Sequence, residues 1–422
     1  MRIGFVIITL LLAFFGWKIL EQSSRMQHIE IEHRQVSPMD VSFEKIQATS
    51  YLNTIRQNMG MNSLLNNSQL EEAAQAHADY LVANKESTHT EIVGHLNFTG
   101  SHPVDRTLHA GYNTLQVSEN LSTKNPHAKS SIDGLFSAIY HRFGFLNPNI
   151  DEIGVGVSQN KNESENSAFV YVMGNSELNR LCSFKNFNGI GRYIYGVCKD
   201  KTHRIDEKKF KDAIKYNKQN NPKIVVYPYD GQKEVPPAFY SEVPDPLPNH
   251  EVSGFPVSIE FNDYFFKNIQ VHTFSLFTDN KEIFDVLFMD KNSDPHSRFT
   301  DKQYALFPLK RLAYDKEYKA VVSYSIKGKI KEISWKFRTK KPTEELHIVE
   351  AKEDEITINP TRSHFIYFKP LDAHDVLTDM QFPREVNIVF IDNNTIKLTL
   401  MDQSLSSFDI KSKFRVLHVN IK

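Results

Sequence analysis

Residues 85–95, KESTHTEIVGH, place two histidines and two glutamates within eleven residues. Imidazole and carboxylate groups bind borderline divalent ions such as zinc, and imidazole exchanges protons near neutral pH. The question is whether His89 is an ordinary loop histidine or one half of a binding site. No nucleophile is visible in the sequence, because no serine lies in a G-x-S-x-G turn and the cysteines are expected to pair.

The two cysteines are Cys182 and Cys198, in RLCSFKNFNGIGRYIYGVCKD. Two thiols alone cannot make a structural zinc site. A glycine-containing loop between aromatic segments suits a disulfide in an exported chain. We therefore expect a disulfide, with a pair of free buried thiols as the alternative.

The elements that must position His89 begin with two helices. Apolar residues at helical intervals predict a first helix over residues 41–59. A second helix is predicted to begin at Ser68, which forms a capping box with Glu71, and to end just before KESTHTEIVGH. Its apolar stripe includes His77, for which a hydrogen-bonded core position is expected rather than a ligand. SSIDGLFSAIYHRFGFLNP predicts a third helix that ends near His141.

Strand patterns follow the third helix. EIGVGVSQN and SAFVYVMG alternate as two strands, so the chain up to about residue 175 is typical of a helix-rich α+β domain. Beyond the cysteines, DEKKFKDAIKYNKQNNP predicts a charged helix, and the proline-rich β runs that follow predict a β-sandwich. EYKAVVSYSIKGKIKEISWKFRTK predicts a hairpin that turns at Gly328, and the C-terminal segments are again strands.

The composition is that of a folded protein, since 40% of the 422 residues are hydrophobic and 24% are charged. The net charge of -1 excludes the basic surface that holds a nucleic-acid backbone, so no nucleic-acid partner is expected. Arg2 precedes an apolar run from Ile3 to Trp17, which is typical of an export signal. Because the residues after the run suit cleavage poorly, we expect an uncleaved membrane anchor, with a cleaved signal peptide as the alternative.

Four segments, taken in order, resemble the CAP superfamily in its bacterial SCP-like form: AAQAHADYLVANKESTHTE, FTGSHPVDRTLHAGY, VSENLS and YHRFGFLNPNIDEIGVGV. This superfamily includes the cysteine-rich secretory proteins, antigen 5 and the plant pathogenesis-related proteins. The resemblance implies an α+β fold, an α-β-α sandwich, with one cleft. It implies that the cleft is lined by His89, by Glu119 and Asn120, and by His141.

The resemblance is incomplete at the fourth corner of the cleft. Bacterial relatives often carry Trp and Ser before the last histidine, whereas this chain has Leu135 and Ala138. No carboxylate clearly completes the set, and Glu91 and Asp133 are the candidate substitutes.

Two neutral imidazoles and a carboxylate suit zinc or another divalent ion and leave positions open for a ligand. The predicted metal ligands are therefore His89, His141 and Glu119. The alternative is a hydrogen-bonded polar cluster that holds the cleft walls together without a metal.

The predicted fold class is multidomain, with the α+β CAP domain followed by all-β, sandwich-like domains. The β region resembles Ig-like extracellular modules, whose usual role is spacing or adhesion. The predicted regions are a signal anchor or signal peptide at 1–22, a linker at 23–42, the CAP domain at 43–175, a disulfide-bracketed connector and helix at 176–220, an Ig-like β-sandwich at 221–340 and a C-terminal β domain at 341–422.

We expect an extracytoplasmic protein on the periplasmic or extracellular face, anchored by its N-terminal segment or secreted if that segment is cleaved. Its expected function is that of a cell-envelope ligand-binding or structural module, with an envelope component, a lipid or a peptide as ligand. One alternative is a metal-dependent hydrolase that acts on peptides through the His/Glu cleft. In another, the β modules bind the partner and the CAP domain is a scaffold.

Overall fold

The computed structural model describes residues 26–30 and 37–422. The described residues form two compact units. The first unit contains residues 37–248 and 253–340, and the second contains residues 26–30, 249–252 and 341–422.

The predicted signal segment, residues 1–22, lies outside the described residues. Within the described ranges, none of the helices combines the length and the apolar character that crossing a membrane requires. Residues 26–30, which the sequence assigns to a linker, form a strand that pairs with residues 379–383 of the second unit.

The described part of the chain contains seven α-helices, all in the first unit. They are α1 (Val41–Asn58), α2 (Ser68–Asn84), α3 (Pro103–His109), α4 (Ala128–Ser137), α5 (Ile139–Phe145), α6 (Ser176–Ser183) and α7 (Glu207–Asn220).

The strands of the described residues are numbered in chain order. They are β1 (Met26–Glu30), β2 (Leu65–Asn66), β3 (Ser118–Thr123), β4 (Glu152–Gln159), β5 (Ser167–Gly174), β6 (Tyr193–Ile194), β7 (Ile205–Asp206), β8 (Ile224–Tyr227), β9 (Gln232–Val235), β10 (Ala238–Tyr240), β11 (Val252–Gly254), β12 (Val257–Phe261), β13 (Gln270–Thr278), β14 (Lys281–Glu282), β15 (Val286–Met289), β16 (Gln303–Pro308), β17 (Glu317–Ile326), β18 (Lys329–Thr339), β19 (Glu345–Val349), β20 (Glu353–Ile358), β21 (His364–Phe368), β22 (Asp379–Pro383), β23 (Val386–Asp392), β24 (Thr395–Leu400), β25 (Ser407–Lys411) and β26 (Val416–Ile421).

Residues 41–175 form the expected three-layer α-β-α sandwich. The central sheet has the order β2-β4-β5-β3, and strand β5 is buried along its whole length. Successive side chains of a strand point to opposite faces. The odd-numbered residues 169 to 173 of β5 therefore pack with α1 and α4, whereas the even-numbered residues 168 to 172 pack with α2.

Two glycines of β4 allow helix α2 to lie directly on the sheet. A Cβ atom at Gly154 would come within 2.0 Å of the backbone of Leu70 and Glu71, and one at Gly156 within 2.1 Å of the Ala74 carbonyl oxygen. Only glycine permits such an approach between two backbones. The EIGVGVSQ segment thus fixes the depth at which α2, the helix that precedes His89, packs.

Two predicted helices differ from the structure at their ends. Helix α2 is capped by Asn67 rather than Ser68, because the Asn67 side chain accepts hydrogen bonds from the backbone N–H groups at residues 69 and 70. The predicted third helix is two helices, since Ala138 is extended between α4 and α5 with ψ of 110°. The break gives α5 an N-terminus of its own immediately before His141.

The β-sandwich of the first unit packs the sheet β15-β16-β12-β8 against the sheet β14-β13-β17-β18-β9. The predicted hairpin is confirmed, since β17 and β18 pair up to Ile326 and Lys329 and Gly328 has a φ of 76°. Strands β12 and β16 are buried throughout. Their second face is covered partly by Ile139 and Phe143 of α5, so the α-β-α domain and the sandwich share buried surface.

Arg142 of α5 strengthens this junction. Its buried guanidinium donates to the carbonyl oxygens of Phe136 and Pro256 and to the Ser258 hydroxyl. It also lies 4.9 Å from the ring centroid of Tyr227. A buried cation with these contacts holds α5 against β12 and β8.

The predicted disulfide between Cys182 and Cys198 is present. It ties α6 to the loop before β7, and α7 follows. The second unit is all β, with the sheets β1-β22-β25-β26-β20 and β19-β21-β24-β23 around one apolar core.

Candidate functional site

His89 lies in the loop that leaves α2, and the buried carboxylate of Glu91 organises that loop. Glu91 accepts hydrogen bonds from the backbone N–H groups of Thr99 and Gly100 and lies 2.9 Å from Nδ1 of His77. Nε2 of His77 donates to the Thr88 carbonyl oxygen, so both ring nitrogens of this core histidine are satisfied, as the sequence predicts. The loop therefore has a fixed course on either side of His89.

Glu119, on β3, joins His89 to a buried cation. Nδ1 of His89 lies 2.9 Å from Glu119 Oε1, and Nη2 of Arg106 lies 2.9 Å from Oε1 and 2.8 Å from Oε2. Arg106 also donates to the carbonyl oxygens of Gly100 and His89. Helix α3 supplies this arginine, which neutralises a carboxylate that is only 1% exposed.

The environment lowers the pKa of both carboxyl groups below the usual range for glutamate. Burial alone would raise the pKa of Glu119, but the hydrogen bond from His89 and the charge of Arg106 outweigh it. Burial would also raise the pKa of Glu91, but the hydrogen bonds from His77 and Thr99 and the charge of Arg106 outweigh it. Both groups are therefore ionised acceptors at neutral pH.

His141 lies in the first turn of α5 and faces a carboxylate from outside the α-β-α domain. Its Nδ1 lies 3.0 Å from Oε2 of Glu242, which follows β10 in the loop SEVPDP. Oε1 of Glu242 accepts a hydrogen bond from the backbone N–H of Ile139 at 3.0 Å. No side chain of α5 or of its N-cap residue caps this helix. Glu242 therefore both satisfies the backbone N–H at the N-terminus of α5 and orients His141.

The pKa of Glu242 is raised above the usual range for glutamate. Burial is the largest cause, and it outweighs the opposite effects of His141, of the Ile139 N–H and of Arg142. The two carboxylates that hold the cleft histidines therefore differ in their electrostatics, since the pKa of Glu119 is lowered and that of Glu242 is raised.

The two histidines meet at the mouth of the cleft. Their ring centroids are 6.3 Å apart and their planes differ by 22°. The His89 side chain is 44% exposed and that of His141 is 14% exposed. Each ring uses Nδ1 for a carboxylate, and no described residue hydrogen bonds to Nε2 of either ring.

The structure thus brings together His89, Glu119 and His141, as the sequence predicts. Asn120 lies beside them and donates to the His141 carbonyl oxygen, so it supports the backbone of α5. Glu91 does not reach His141, because its carboxylate is bonded to His77 and to the loop.

Asp133 also lies elsewhere, because its carboxylate is bonded to Tyr51 and Lys129. The carboxylate that completes the set is that of Glu242, which the sequence did not predict as a cleft residue. His141 and Glu242 are 101 residues apart in the sequence. Near residue 242 the sequence shows only a glutamate in a proline-rich loop, which does not indicate a contact with His141.

Residues 41–175 form a three-layer α-β-α domain with two histidines in its cleft, and each histidine is bonded to a buried carboxylate. Residues 49–175 match the family model described as CAP, the cysteine-rich secretory protein family. This part of the chain is a CAP domain, and the β-rich region that follows it is consistent with Ig-like modules.

Two solved structures are among those similar to the chain. An outer surface protein from Borrelia burgdorferi is 19% identical with a TM-score of 0.29, over 33% of this chain and 98% of that protein. An extracellular protein containing a SCP domain from Bacillus anthracis str. Ames is 17% identical with a TM-score of 0.28, over 32% of this chain. The chain spans 44% of the length of this second structure. No curated protein matches the sequence.

Proposed function

We propose that this chain is an extracytoplasmic cell-envelope protein that binds a ligand through its CAP cleft, and that His89 and His141 hold a divalent metal ion there. One observation carries the proposal. Each ring offers Nδ1 to a buried carboxylate, which leaves Nε2 without a partner among the described residues. Metal-binding histidines are oriented in this way, with a carboxylate behind the ring that fixes the tautomer.

The distance between the rings is slightly longer than such a site requires. Zinc lies about 2.0–2.1 Å from an imidazole nitrogen, which places it about 3 Å from the ring centre. At the tetrahedral angle the two ring centres would be about 5 Å apart. The observed centroid separation is 6.3 Å, so the His89 ring, which is 44% exposed, must move about 1 Å toward His141 for both Nε2 atoms to reach one ion.

Glu119 has a positioning role in this proposal rather than the predicted role of a metal ligand. Both of its oxygens are hydrogen bonded to Arg106, and Oε1 is also hydrogen bonded to His89. A metal ion at Glu119 would have to replace a buried guanidinium, and breaking such a pair costs about 3–5 kcal/mol. The remaining coordination positions are then open to water or to the bound ligand.

The ligand we propose carries an oxygen for the metal and an apolar portion beside it. The loop that holds His89 also exposes Ile92, Val93 and Leu96, which are 54%, 75% and 68% exposed. An envelope lipid or a peptide combines both chemistries, since each has carbonyl, carboxylate or phosphate oxygens next to apolar groups. A bound ion would supply Lewis-acid character to such an oxygen.

The extracytoplasmic location is supported by two features of the chain. The disulfide between Cys182 and Cys198 is stable in an oxidising compartment. The apolar run from Ile3 to Trp17 is typical of an export signal.

Zinc titration of the full chain, purified in detergent and freed of metal, tests the cleft proposal. We expect saturable binding that includes one equivalent in the cleft, and this equivalent is lost when His89 and His141 are both replaced by Ala. Glu242→Ala should weaken it by about 10–100-fold, because loss of an orienting carboxylate has that effect on metal affinity. Ser241→Ala, in the same loop, is the matched control and should bind as the unsubstituted chain does. Equal zinc binding by the double histidine variant would refute the cleft assignment.

Hydrolysis of peptides is the alternative, and the geometry favours binding over it. A general base must be free to take a proton from water. Both nearby carboxylates are instead committed, Glu119 to Arg106 and Glu242 to the N–H of Ile139. Incubation of the zinc-loaded chain with a peptide library should give no cleavage above that of the double histidine variant.

A further inference from the structure

A second group of metal-binding side chains lies in the other compact unit, on the sheet β19-β21-β24-β23. Strand β19 is at the edge of this sheet and pairs in parallel with β21, with Glu345 level with His364. His347 is two residues beyond Glu345 and therefore points to the same face of the sheet. One ligand atom from each of Glu345, His347 and His364 lies within 4.8 Å of the other two.

The tautomer of His364 is set by the backbone. Its Nε2 lies 2.9 Å from the carbonyl oxygen of Asn359, and since a carbonyl only accepts, Nε2 carries the hydrogen. In the neutral ring the lone pair is then on Nδ1, which points at the other two residues. A hydrogen bond from one ring nitrogen to a backbone carbonyl is how proteins orient histidine ligands.

The distances between the three groups match a metal coordination shell. His364 Nδ1 lies 3.1 Å from His347 Nε2 and 3.6 Å from Glu345 Oε2. Ligand atoms about 2.0–2.1 Å from a tetrahedral zinc ion are about 3.3 Å from one another. The observed separations lie on either side of that value.

One cation lies close to the group. Nη2 of Arg362 is 2.8 Å from Glu345 Oε2, and its side chain is 58% exposed. Because it is exposed, the guanidinium can turn into solvent, at the small cost typical of surface ion pairs, when a metal ion takes its place. The buried His364 and the partly buried His347 have no such freedom, so the nitrogen ligands are preorganised and the carboxylate completes the set.

We propose that Glu345, His347 and His364 bind a divalent transition-metal ion, zinc by their ligand chemistry, and that this ion fastens the edge strand β19 to β21. Two imidazoles and one carboxylate are a ligand set that zinc accepts, with one position left for water. The edge strand otherwise has hydrogen-bonded neighbours on one side only, which is where a sheet opens most readily. The site is separate from the CAP cleft and does not depend on it.

The test uses the full chain with His89→Ala and His141→Ala, so that the cleft cannot contribute. Zinc chloride alone is titrated into the metal-free protein in a calorimeter, and we expect one equivalent to bind. X-ray absorption at the zinc edge should then show nitrogen and oxygen neighbours at about 2.0–2.1 Å. Saturating zinc should raise the midpoint of thermal unfolding by about 5 °C or more.

Three variants in that background decide the assignment. His347→Gln and Glu345→Gln change partly exposed positions and should each weaken zinc binding by at least about 10-fold while the circular dichroism spectrum stays unchanged. His418→Gln is the matched control. His418 belongs to the same unit and has two carboxylate neighbours, but both of its ring nitrogens are already bonded, to Asp409 and Glu353. It should bind zinc as the background does.

Two results would overturn the proposal. One is the absence of saturable zinc binding in the cleft-deficient chain, which would leave His347 and His364 as a simple hydrogen-bonded pair. The other is zinc binding that persists unchanged in His347→Gln. Neither result bears on the cleft, whose own titration compares variants at His89 and His141.

Discussion

Arg106 is a buried cation that serves two carboxylates of the CAP domain. It donates to both oxygens of Glu119, and its Nε lies 3.7 Å from Oε1 of Glu91. Its side chain is 1% exposed. Removing one member of such a group leaves an uncompensated buried charge, which costs far more than the pair contributes when it is intact. A substitution in the group of Arg106, Glu119 and Glu91 should therefore strongly destabilise the structure around His89.

Arg106→Met should lower the free energy of unfolding by about 3–5 kcal/mol. Urea unfolding of the first unit, followed by fluorescence of the buried Trp335 in a Trp17→Phe background, measures the change. Arg180→Met is the control, because Arg180 pairs with Glu177 on an exposed helix surface and its loss should cost about 1 kcal/mol at most. Equal losses in the two variants would contradict the ion-pair account.

Acid should weaken the same group. The pKa values of Glu91 and Glu119 are lowered in the folded state, so the stability they contribute is present above the unfolded pKa of about 4.3 and is lost as the pH falls through the folded values. We expect the unfolding free energy to drop below about pH 4.3, and to drop less steeply in Arg106→Met. A parallel acid dependence in both chains would show that other groups govern it.

Glu260, in the core of the sandwich, should have the opposite pH dependence. Burial raises its pKa to about 8, against a hydrogen bond from Gln303, and its Oε2 has no hydrogen-bond partner among the described residues. Between about pH 4.3 and the folded pKa, the folded state holds a proton that the unfolded state releases, so stability falls as the pH rises.

Glu260→Gln should remove this loss of stability between pH 5 and pH 9. At pH 9 it should stabilise the first unit by a few kcal/mol, which is on the order of what the raised pKa of Glu260 implies. Unfolding in urea at pH 5 and pH 9 measures it. Glu317→Gln, on the exposed surface of the same sandwich, should leave the difference between the two pH values as it is. A pH dependence that survives in Glu260→Gln would rule out Glu260 as its origin.

The residues of the cleft could be predicted only in part. His89, Glu119 and His141 stand in the order on which the resemblance to the CAP superfamily rests, so the sequence alone predicts that they lie together. Glu242 has no such context, because its role arises from the packing of α5 on the sandwich. Likewise, nothing in the spacing of Glu345, His347 and His364 shows that β19 and β21 are neighbours.

At the scale of elements, the contact between α2 and β4 depends on glycine. Gly156→Ala places a Cβ atom 2.1 Å from the Ala74 carbonyl oxygen, and neither backbone can yield without moving the helix. We expect a loss of about 3 kcal/mol or more in the same unfolding assay, at the upper end of what overpacking costs. The helix that precedes His89 would shift with it, so zinc affinity of the cleft should fall too.

Gly134→Ala is the matched control for this substitution. Gly134 lies inside α4, and a Cβ atom there meets nothing within 4 Å. Because alanine favours a helix over glycine, stability should rise by up to about 1 kcal/mol. Destabilisation by both substitutions would mean that the close approach of α2 is not the cause.

Several elements of the CAP domain follow from periodicity. The apolar segments that form β4 and β5 and the apolar spacing of α1 and α2 can be read from the sequence. The break at Ala138 does not, because SSIDGLFSAIYHRFG continues a helical pattern through it without glycine or proline at the break. Glu242 meets the new N-terminus from another part of the chain, so the pattern could not reveal the end of α4.

At the scale of the whole molecule, the proposed envelope location predicts how the chain fractionates. The apolar run from Ile3 to Trp17 should keep the full chain with the membrane fraction after an alkaline wash, and a chain without residues 2–20 should be released. Immunoblots of the washed fractions measure this. If the full chain is expressed and the product found in solution begins beyond residue 20, a signal peptide has been cleaved instead.

The division into compact units was not predictable from patterns. The sequence separates an α+β region from a β region near residue 175, whereas the CAP domain and the first sandwich share a core in the structure. Composition reports which kind of element a segment forms and says nothing about which elements bury one another. The boundaries predicted near residues 220 and 340 stay predictions.

The reach of Glu242 into the CAP domain has a consequence for how such a protein can evolve. A carboxylate beyond the limits of the family match both caps α5 and holds His141, so the match ends before the cleft is complete. Exchange of the sandwich for another module would leave an imidazole unsupported and a helix uncapped. Positions 141 and 242 should therefore change together among relatives, and we expect the two modules to be inherited together.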